Sequence, residues 1–520
     1  MLPRRTEAPR LLLACVLAIG CALHAYGQEK SAPVAKSQSP LATAATQLKQ
    51  NDLDAAEKTL WGVLSTDPVN SEALTMLGVI RGRQQRFAEA EALFRRVVQL
   101  NPKSVVALRN LAGSLLAQDK PEDALKTYKQ AIELAPQDVD LRMEAAQLEL
   151  ARGNFADALE ILQGIKPDQF PPGAASYKAA CLLGLDRRSE AEALIPLVKA
   201  SPNAAADLAQ VFVEANVPDA ALKSLAFAAA TEGKQGARIY YLRGRALLQK
   251  GDPSGAMTSL RHALGLDPKS AAILLAIAEV YATENKHADS YRMLEEARAA
   301  APQSADVLRH FVMEGMRAGQ NAKAMQAAAD LLRISPSFDD RYLVATAMLE
   351  QKQFVSASHI LEDYAAQRPQ DAKAFLGLGM AYLSLLRYTD ARRALERSLQ
   401  LNPHLAETEY QLGLLESQQG NRQAAQEHWE RAVALKSDHA PALFSLGTLY
   451  AEAGNLPKAQ SAFERSLAAD PTNMKTEYNL ALVLNKLGKS EEAKVHFERY
   501  RKMQEAEHST SGNPPHNSPM

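Results

Sequence analysis

The chain has 520 residues, 47% hydrophobic and 6% aromatic, and its 59 Lys+Arg against 60 Asp+Glu leave a formal charge of -1. Apolar content is ample for a folded core, and near-neutrality argues against a nucleic-acid partner, which needs clustered Lys and Arg. The prevalence of Ala and Leu favours helices, because both lose little side-chain entropy in one.

The first stretch, MLPRRTEAPRLLLACVLAIGCALHAYGQEK, reads as a targeting segment. Arg4, Arg5 and Arg10 make a basic start, Leu11 to Leu23 an apolar run, and Ala25-Tyr26-Gly27 a small-residue cleavage site before Gln28. Residues 1–27 are therefore expected to be a signal peptide. As a helix the apolar run would span about 20 Å, short of the roughly 30 Å of a bilayer core. A second reading stays open: Leu17-Ala18-Ile19-Gly20-Cys21 resembles a permissive bacterial lipobox, which would make Cys21 a lipidation site and anchor. An uncleaved anchor is the third. Each reading exports the chain, to the periplasm or the outer-membrane periphery, and no span is expected in the mature protein. Residues 28–40 form a polar linker. Past the leader only Cys181 remains, and one thiol makes no internal disulfide, so packing alone must hold the fold. In KAACLLGL it reads as a small buried apolar residue.

From Leu41 onward one period governs the chain. Pro68, Pro102 and Pro136 lie 34 residues apart, as do Pro268, Pro302 and Pro336, and Pro369 and Pro403, a series that Ser437 and Pro471 continue. Between Pro136 and Pro268 there is room for four repeats of 33. With this proline as position 32, the repeat starting at Ala440 puts Leu443, Leu446, Gly447 and Tyr450 at positions 4, 7, 8 and 11, one face of a helix. Gly454-Asn455 supplies a stop and turn, and Ala459, Phe463 and Leu467 stripe a second helix that Pro471 ends. Size is conserved between repeats where letters are not. Position 8 is Gly78, Ala112, Gly244, Gly379, Gly413 or Gly447, and position 20 is Ala56, Ala90, Ala124, Ala256, Ala391 or Ala425. Small residues there suggest close approach of two helix backbones, where a larger side chain would overpack at a cost of about 1–3 kcal/mol. Phe94, Tyr128, Trp429, Phe463 and Phe497 at position 24 fill the space between layers.

This pattern resembles the tetratricopeptide repeat, W-x2-L-G-x2-Y followed by A-x3-F and P. The resemblance runs from roughly Leu41 to Met503 and implies an all-α, right-handed α-solenoid of about 14 stacked helix-turn-helix units, about ten clear and four degenerate. Clear units are expected at 41–136 and 237–503 and degenerate ones at 137–236. SEEAKVHFERYRKMQEAEH reads as a charged capping helix, and 504–520 as a disordered tail. In the degenerate stretch GIKPDQFPPG crowds one connection with prolines, and Leu208 stands where a small residue is expected. Gln163 to Gly236 is therefore the expected weakest link, the first place for a protease to cut.

No catalytic constellation is apparent. There is no H-E-x-x-H, Cys/His cluster, G-x-S-x-G or phosphate loop, so no catalytic residue, metal or cofactor is expected. His404 and His439, at corresponding ends of adjacent repeats, read as solvent-facing loop histidines. The resemblance implies instead a protein or peptide partner, held on a concave face lined by the first helix of each unit. At position 5 the last five units carry Tyr342, Leu376, Tyr410, Phe444 and Tyr478, flanked by Leu349, Met380, Leu383, Leu414 and Leu482 at positions 9 and 12. Arg109, Arg245 and Arg309 lie on the same stripe earlier, which suggests a face apolar at its C-terminal end and more basic before it. The position-5 ladder also reads as helix packing, the slightly favoured reading of the two. Some family members clasp C-terminal carboxylates with Lys at position 5 and Asn at position 9, a pair no repeat here has. Three functions remain: an exported protein-binding scaffold, a lipid-anchored part of an outer-membrane secretion or polysaccharide-export assembly, and the regulatory half of an enzyme.

Overall fold

The computed structural model describes residues 39–228, 233–335 and 337–511. The leader, with Cys21, and most of the linker lie outside them. Ser39 caps the first helix, Pro40–Lys49, which thus begins inside the segment read as linker. Among the described residues there is no strand, and no helix is long and apolar enough to cross a membrane. The 28 α-helices of the described residues alternate as first and second helices of fourteen repeats, an α-solenoid architecture. The chain divides into two compact units, Met1–Val280 and Tyr281–Met520.

Many hairpins start by the same local chemistry, and all of them turn alike. Asn70, Ser104, Asp138 and Asn473 precede first helices and accept a hydrogen bond from the amide three residues on, satisfying a donor the helix itself leaves open. Between the helices, position 15 of every repeat has positive φ. Gly454 (φ 75°) and Gly420 (φ 83°) do this without strain, but Gln85, Lys352 and Leu386 occupy the same left-handed turn at 61°, 58° and 59°.

The size rule has a specific cause. A Cβ on Gly78 would sit 2.6 Å from the Phe94 ring, one on Gly413 2.4 Å from Trp429, and one on Gly447 2.7 Å from Phe463. Position 8 is small because the position-24 side chain of the same repeat lies over it, a ring against a backbone and not the backbone-on-backbone approach the sequence suggests. Position 20 is fully buried in Ala56, Ala90, Ala124, Ala391 and Ala459.

Within the units, polar contacts tie several repeats to the one before. Arg96, Arg397 and Arg465, all at position 26, donate to the carbonyls of Pro68, Pro369 and Ser437. Ser437 can therefore replace the proline, since the carbonyl is what is held. Positions 21 and 11 of successive repeats form an ion pair twice, with the charges exchanged: Glu57 with Arg81, and Arg392 with Glu416, each at 2.6 Å. The Arg81 and Glu416 side chains are only 9% and 7% exposed.

In the first unit the stretch from Val139 departs from this plan. Second helices shorten to Phe155–Gln163, Arg188–Glu192 and Pro218–Leu225, with 3-10 turns at Pro167–Gln169 and Ile195–Val198. The turn residues Gly153, Asp186, Asn216 and Gly251 are spaced 33, 30 and 35 residues apart. Four repeats do fit, but unequally, and this moves the register. Leu208 falls at position 7, where Leu77 and Leu446 also sit, and Ala209 is the small residue at position 8. One continuous core from Ala146 to Ala246 fills the stretch, with Phe212 fully buried and Cys181 inside it. Burial pushes the Cys181 thiol up to about 12.

In the second unit, first helices of successive repeats approach one another: Ala305–Arg317 on Phe338–Glu350, Phe338–Glu350 on Ala372–Ser384, and Ala372–Ser384 on Ala406–Gln418. Second helices do so less, so the first helices are the inner layer. Ser490–Ser511 is the second helix of the last described hairpin. It also continues beyond Met503, so residues 504–511 are helical where a tail was expected.

Candidate partner-binding face

The five position-5 residues lie one to each successive first helix of the second unit, and they are not equivalent. Leu376 belongs to the core at 7% exposure. Tyr342, Tyr410 and Phe444 are half-buried, each leaning on a ring behind it: Tyr364 at 6.0 Å, His439 at 5.2 Å and Phe463 at 5.8 Å. Burial pushes the Tyr342 and Tyr410 phenols above their ordinary value. Tyr478 is 42% exposed although it too rests on Phe497 and Tyr500, at 5.9 and 5.2 Å. Leu482, one helical turn on, is 37% exposed. Of the flanking residues Leu383 is buried, while Leu349, Met380 and Leu414 are half-buried against neighbouring cores. The ladder thus grades from packing to surface, with its accessible end at Tyr478 and Leu482 on the last first helix.

The expected basic stretch is neutralised. Arg109 pairs with Glu144 at 2.5 Å, Arg245 with Glu279 at 3.6 Å, and Arg309 with Asp340 and Asp306. In each case a carboxylate from the first helix of the next repeat meets the guanidinium, so these arginines join repeats and do not offer free charge. Asp340 is fully buried; burial works against its ionisation, yet Arg309, Ser335 and Ser337 together hold its carboxyl below the usual range.

Two further features escaped sequence reading. Glu409 and Glu477 occupy position 4, a core position elsewhere, at 5% and 4% exposure. Each faces a histidine at position 23 and an arginine at position 26. His428 Nδ1 lies 2.6 Å from Glu409 and Arg431 Nε 3.2 Å, while His496 Nδ1 lies 2.6 Å from Glu477 and Arg499 Nη1 3.9 Å. A glutamate at position 4 was the available signal. The second is His439, expected at the surface. It is 5% exposed and caps the helix Ala440–Glu452, whereas His404 is exposed as expected. No group of three or more His, Cys, Asp or Glu among the described residues is arranged to hold a metal ion.

Family models described as tetratricopeptide repeat match residues 115–180 and 247–309, 206–271 and 410–474, and 69–137. A model described as anaphase-promoting complex, cyclosome, subunit 3 matches 317–398. Among curated proteins, Cellulose synthase operon protein C of Xanthomonas axonopodis pv. citri (strain 306) is 28% identical over 242 residues, covering 45% of this chain and 14% of that protein. The protein of the same name from Pseudomonas fluorescens (strain SBW25) is 25% identical over 297 residues, covering 55% and 21%. The matched region thus spans a small fraction of these relatives' length. Among solved structures, a tetratricopeptide repeat protein from Parabacteroides merdae ATCC 43184 aligns at 15% identity and TM-score 0.45, covering 48% of this chain and 99% of that one. The APC/C hetero-tetramer Cut9-Hcn1 aligns at 16% and 0.40, covering 85% and 96%.

Proposed function

The chain belongs to the tetratricopeptide repeat family, and from that premise we propose that it is an exported, non-catalytic scaffold holding a protein or peptide on the first helices of its second unit. The observation that carries this reading is the exposed pair Tyr478 and Leu482, at the accessible end of a row of apolar side chains on the inner helix layer. An apolar pair one turn apart on a rigid helix suits an extended peptide or an amphipathic helix, whose binding concentrates in a few aromatic and aliphatic anchors. Neutralised arginines make a strongly acidic partner the poorer fit. Export rests on the basic and apolar order of residues 1–27.

The test is capture from envelope extract on immobilised wild-type protein beside the double variant Tyr478→Ala, Leu482→Ala. A specific partner held by the first and lost by the second supports the reading. A partner retained by both moves the binding face elsewhere.

The names of the two curated relatives favour one alternative, a lipid-anchored component of a polysaccharide-export assembly. Intact mass of the exported protein separates the two, since lipidated Cys21 and a free Gln28 terminus differ in both mass and starting residue. Enzyme regulation is the least supported reading.

A further inference from the structure

Helix caps in this chain are mostly of one chemical kind. Asn70, Ser104, Asp138, Ser304, Ser337 and Asn473 offer oxygens as acceptors before first helices. Such acceptors persist across mild pH, since Ser and Asn do not titrate and a free Asp does so only near about 3.9. His439 breaks the rule. Its Nδ1 accepts the Ala442 N–H at 3.2 Å, and its Nε2 lies 3.2 Å from Glu407 Oε2. An Nδ1 that accepts carries no proton, so the proton is on Nε2 and is donated to Glu407. The ring is 5% exposed and rests on Tyr410 at 5.2 Å.

We propose that His439 is a pH-sensitive joint between two repeats: neutral, it caps the helix Ala440–Glu452; protonated, it releases Ala442 and pairs as an imidazolium with Glu407. An imidazolium has donors on both nitrogens, so Nδ1–H would confront the Ala442 N–H, and the ring must turn away or the helix start must fray. The charged groups around it are Glu407 on the preceding first helix, which attracts the imidazolium, with Lys436 and Asp438 in its own connection. Tyr410 contributes a ring face, and no charged residue of the first turn of Ala440–Glu452 adds to the set. Burial works against ionised Glu407, yet bonds from His439 and Gln411 hold its carboxyl below the usual range, so the partner that neutral His439 already touches is charged when the imidazolium forms. Tyr410 leans on the ring that moves, so the joint adjoins one of the half-buried members of the ladder. The device stands whether or not Tyr410 touches a partner.

Hydrogen exchange followed by mass spectrometry on the full chain tests it, reading the peptide that contains Ala442 between about pH 7.5 and about pH 5.5. After correction for intrinsic exchange, protection should fall by about fivefold towards acid, the size of a lost cap. In His439→Asn, whose side chain caps without titrating, it should stay level. Glu407→Gln removes the counter-charge, so the fall should move to lower pH. Level protection in the wild type, or the same fall in His439→Asn, overturns the proposal. If His439→Asn fails to fold, imidazole nitrogen NMR of the wild type still decides: an Nε2–H tautomer at neutral pH is required, and an Nδ1–H tautomer ends the case.

Discussion

The stretch Val139–Gln249 and the repeats of Ala372–Ser511 solve the same packing problem differently. In the later repeats the core is divided, each small cluster serving a hairpin and its neighbour, as around Leu395, Trp429 and Phe463. In the earlier stretch second helices are short and repeat lengths unequal, yet a single core runs from Ala146 to Ala246. Leu, Ile, Val and Phe side chains fill what the missing helical turns would have covered. Regularity of sequence and continuity of packing are separate properties, and a solenoid can give up the first while keeping the second.

The largest effect should come from emptying each kind of core. Phe212→Ala and Phe463→Ala each remove a fully buried ring at about 3–5 kcal/mol. The two should differ in reach. Hydrogen exchange should show loss of protection across most of residues 146–246 for the first, and mainly in adjoining hairpins for the second. Equal reach would erase the contrast and return the chain to uniform nearest-neighbour behaviour.

Within the later repeats the comparison sharpens between core and surface. Leu446→Ala should destabilise by roughly 2–5 kcal/mol, with binding affected only through unfolding. Tyr478→Ala should leave thermal stability nearly unchanged and weaken partner binding by on the order of 2 kcal/mol, about 30-fold. Tyr410→Ala should fall between, because half of that ring is already packing. If Tyr478→Ala melts the fold as Leu446→Ala does, the ladder is packing throughout.

Acid should act on the first hairpins in its own way. The Arg81 hydrogen bond holds Glu57, and the Lys120 bond holds Glu91, at about 2. A carboxyl depressed in the folded state stabilises it above the unfolded value, near about 4.3, and that contribution disappears as pH falls from there towards about 2. Hydrogen exchange between these limits, corrected for intrinsic rates, should therefore show protection in residues 53–134 falling with acid. Glu57→Gln should flatten that slope while lowering stability near neutrality.

The smallest effect concerns the turns. Leu386 holds a left-handed φ of 59° with its side chain 65% exposed, where Gly420 and Gly454 hold the same position. Leu386→Gly should raise stability by about 1 kcal/mol, relief of backbone strain outweighing the added chain entropy. A loss instead would show that the leucine makes contacts worth more than its strain.

Much of the fold was legible because the constraints repeat. Small residues at positions 8 and 20 and rings at 24 recur often enough for the period to stand out through changing letters. What lay hidden depended on partners the period does not fix. Arg109 reaches Glu144, 35 residues on, Arg245 reaches Glu279 at 34, and Arg309 reaches Asp340 at 31. No single offset reveals them, so a paired stripe read as a basic one. His439 was missed because capping is ordinarily the work of Ser, Thr, Asp and Asn. Leu208 was misplaced because equal lengths were assumed where the turns sit 30 and 35 residues apart. The ladder was visible as a row, but exposure along it, from buried Leu376 to exposed Tyr478, depends on which rings and neighbouring helices cover each side chain.

The exchanged ion pairs carry a consequence for the history of such a chain. Tandem repeats are exposed to unequal crossing-over, which deletes or shuffles them without breaking the reading frame. Were the repeat bearing Arg81 spliced behind the one bearing Arg392, two guanidiniums would meet in a site that hides the Arg81 side chain to 9% exposure. Joining Glu57 to Glu416 would crowd two carboxylates in the same way. Like charges with so little solvent disfavour either recombinant, whereas the parental order satisfies both. Opposite polarity at one address thus works as a serial number, guarding the order of parts that are otherwise alike in shape.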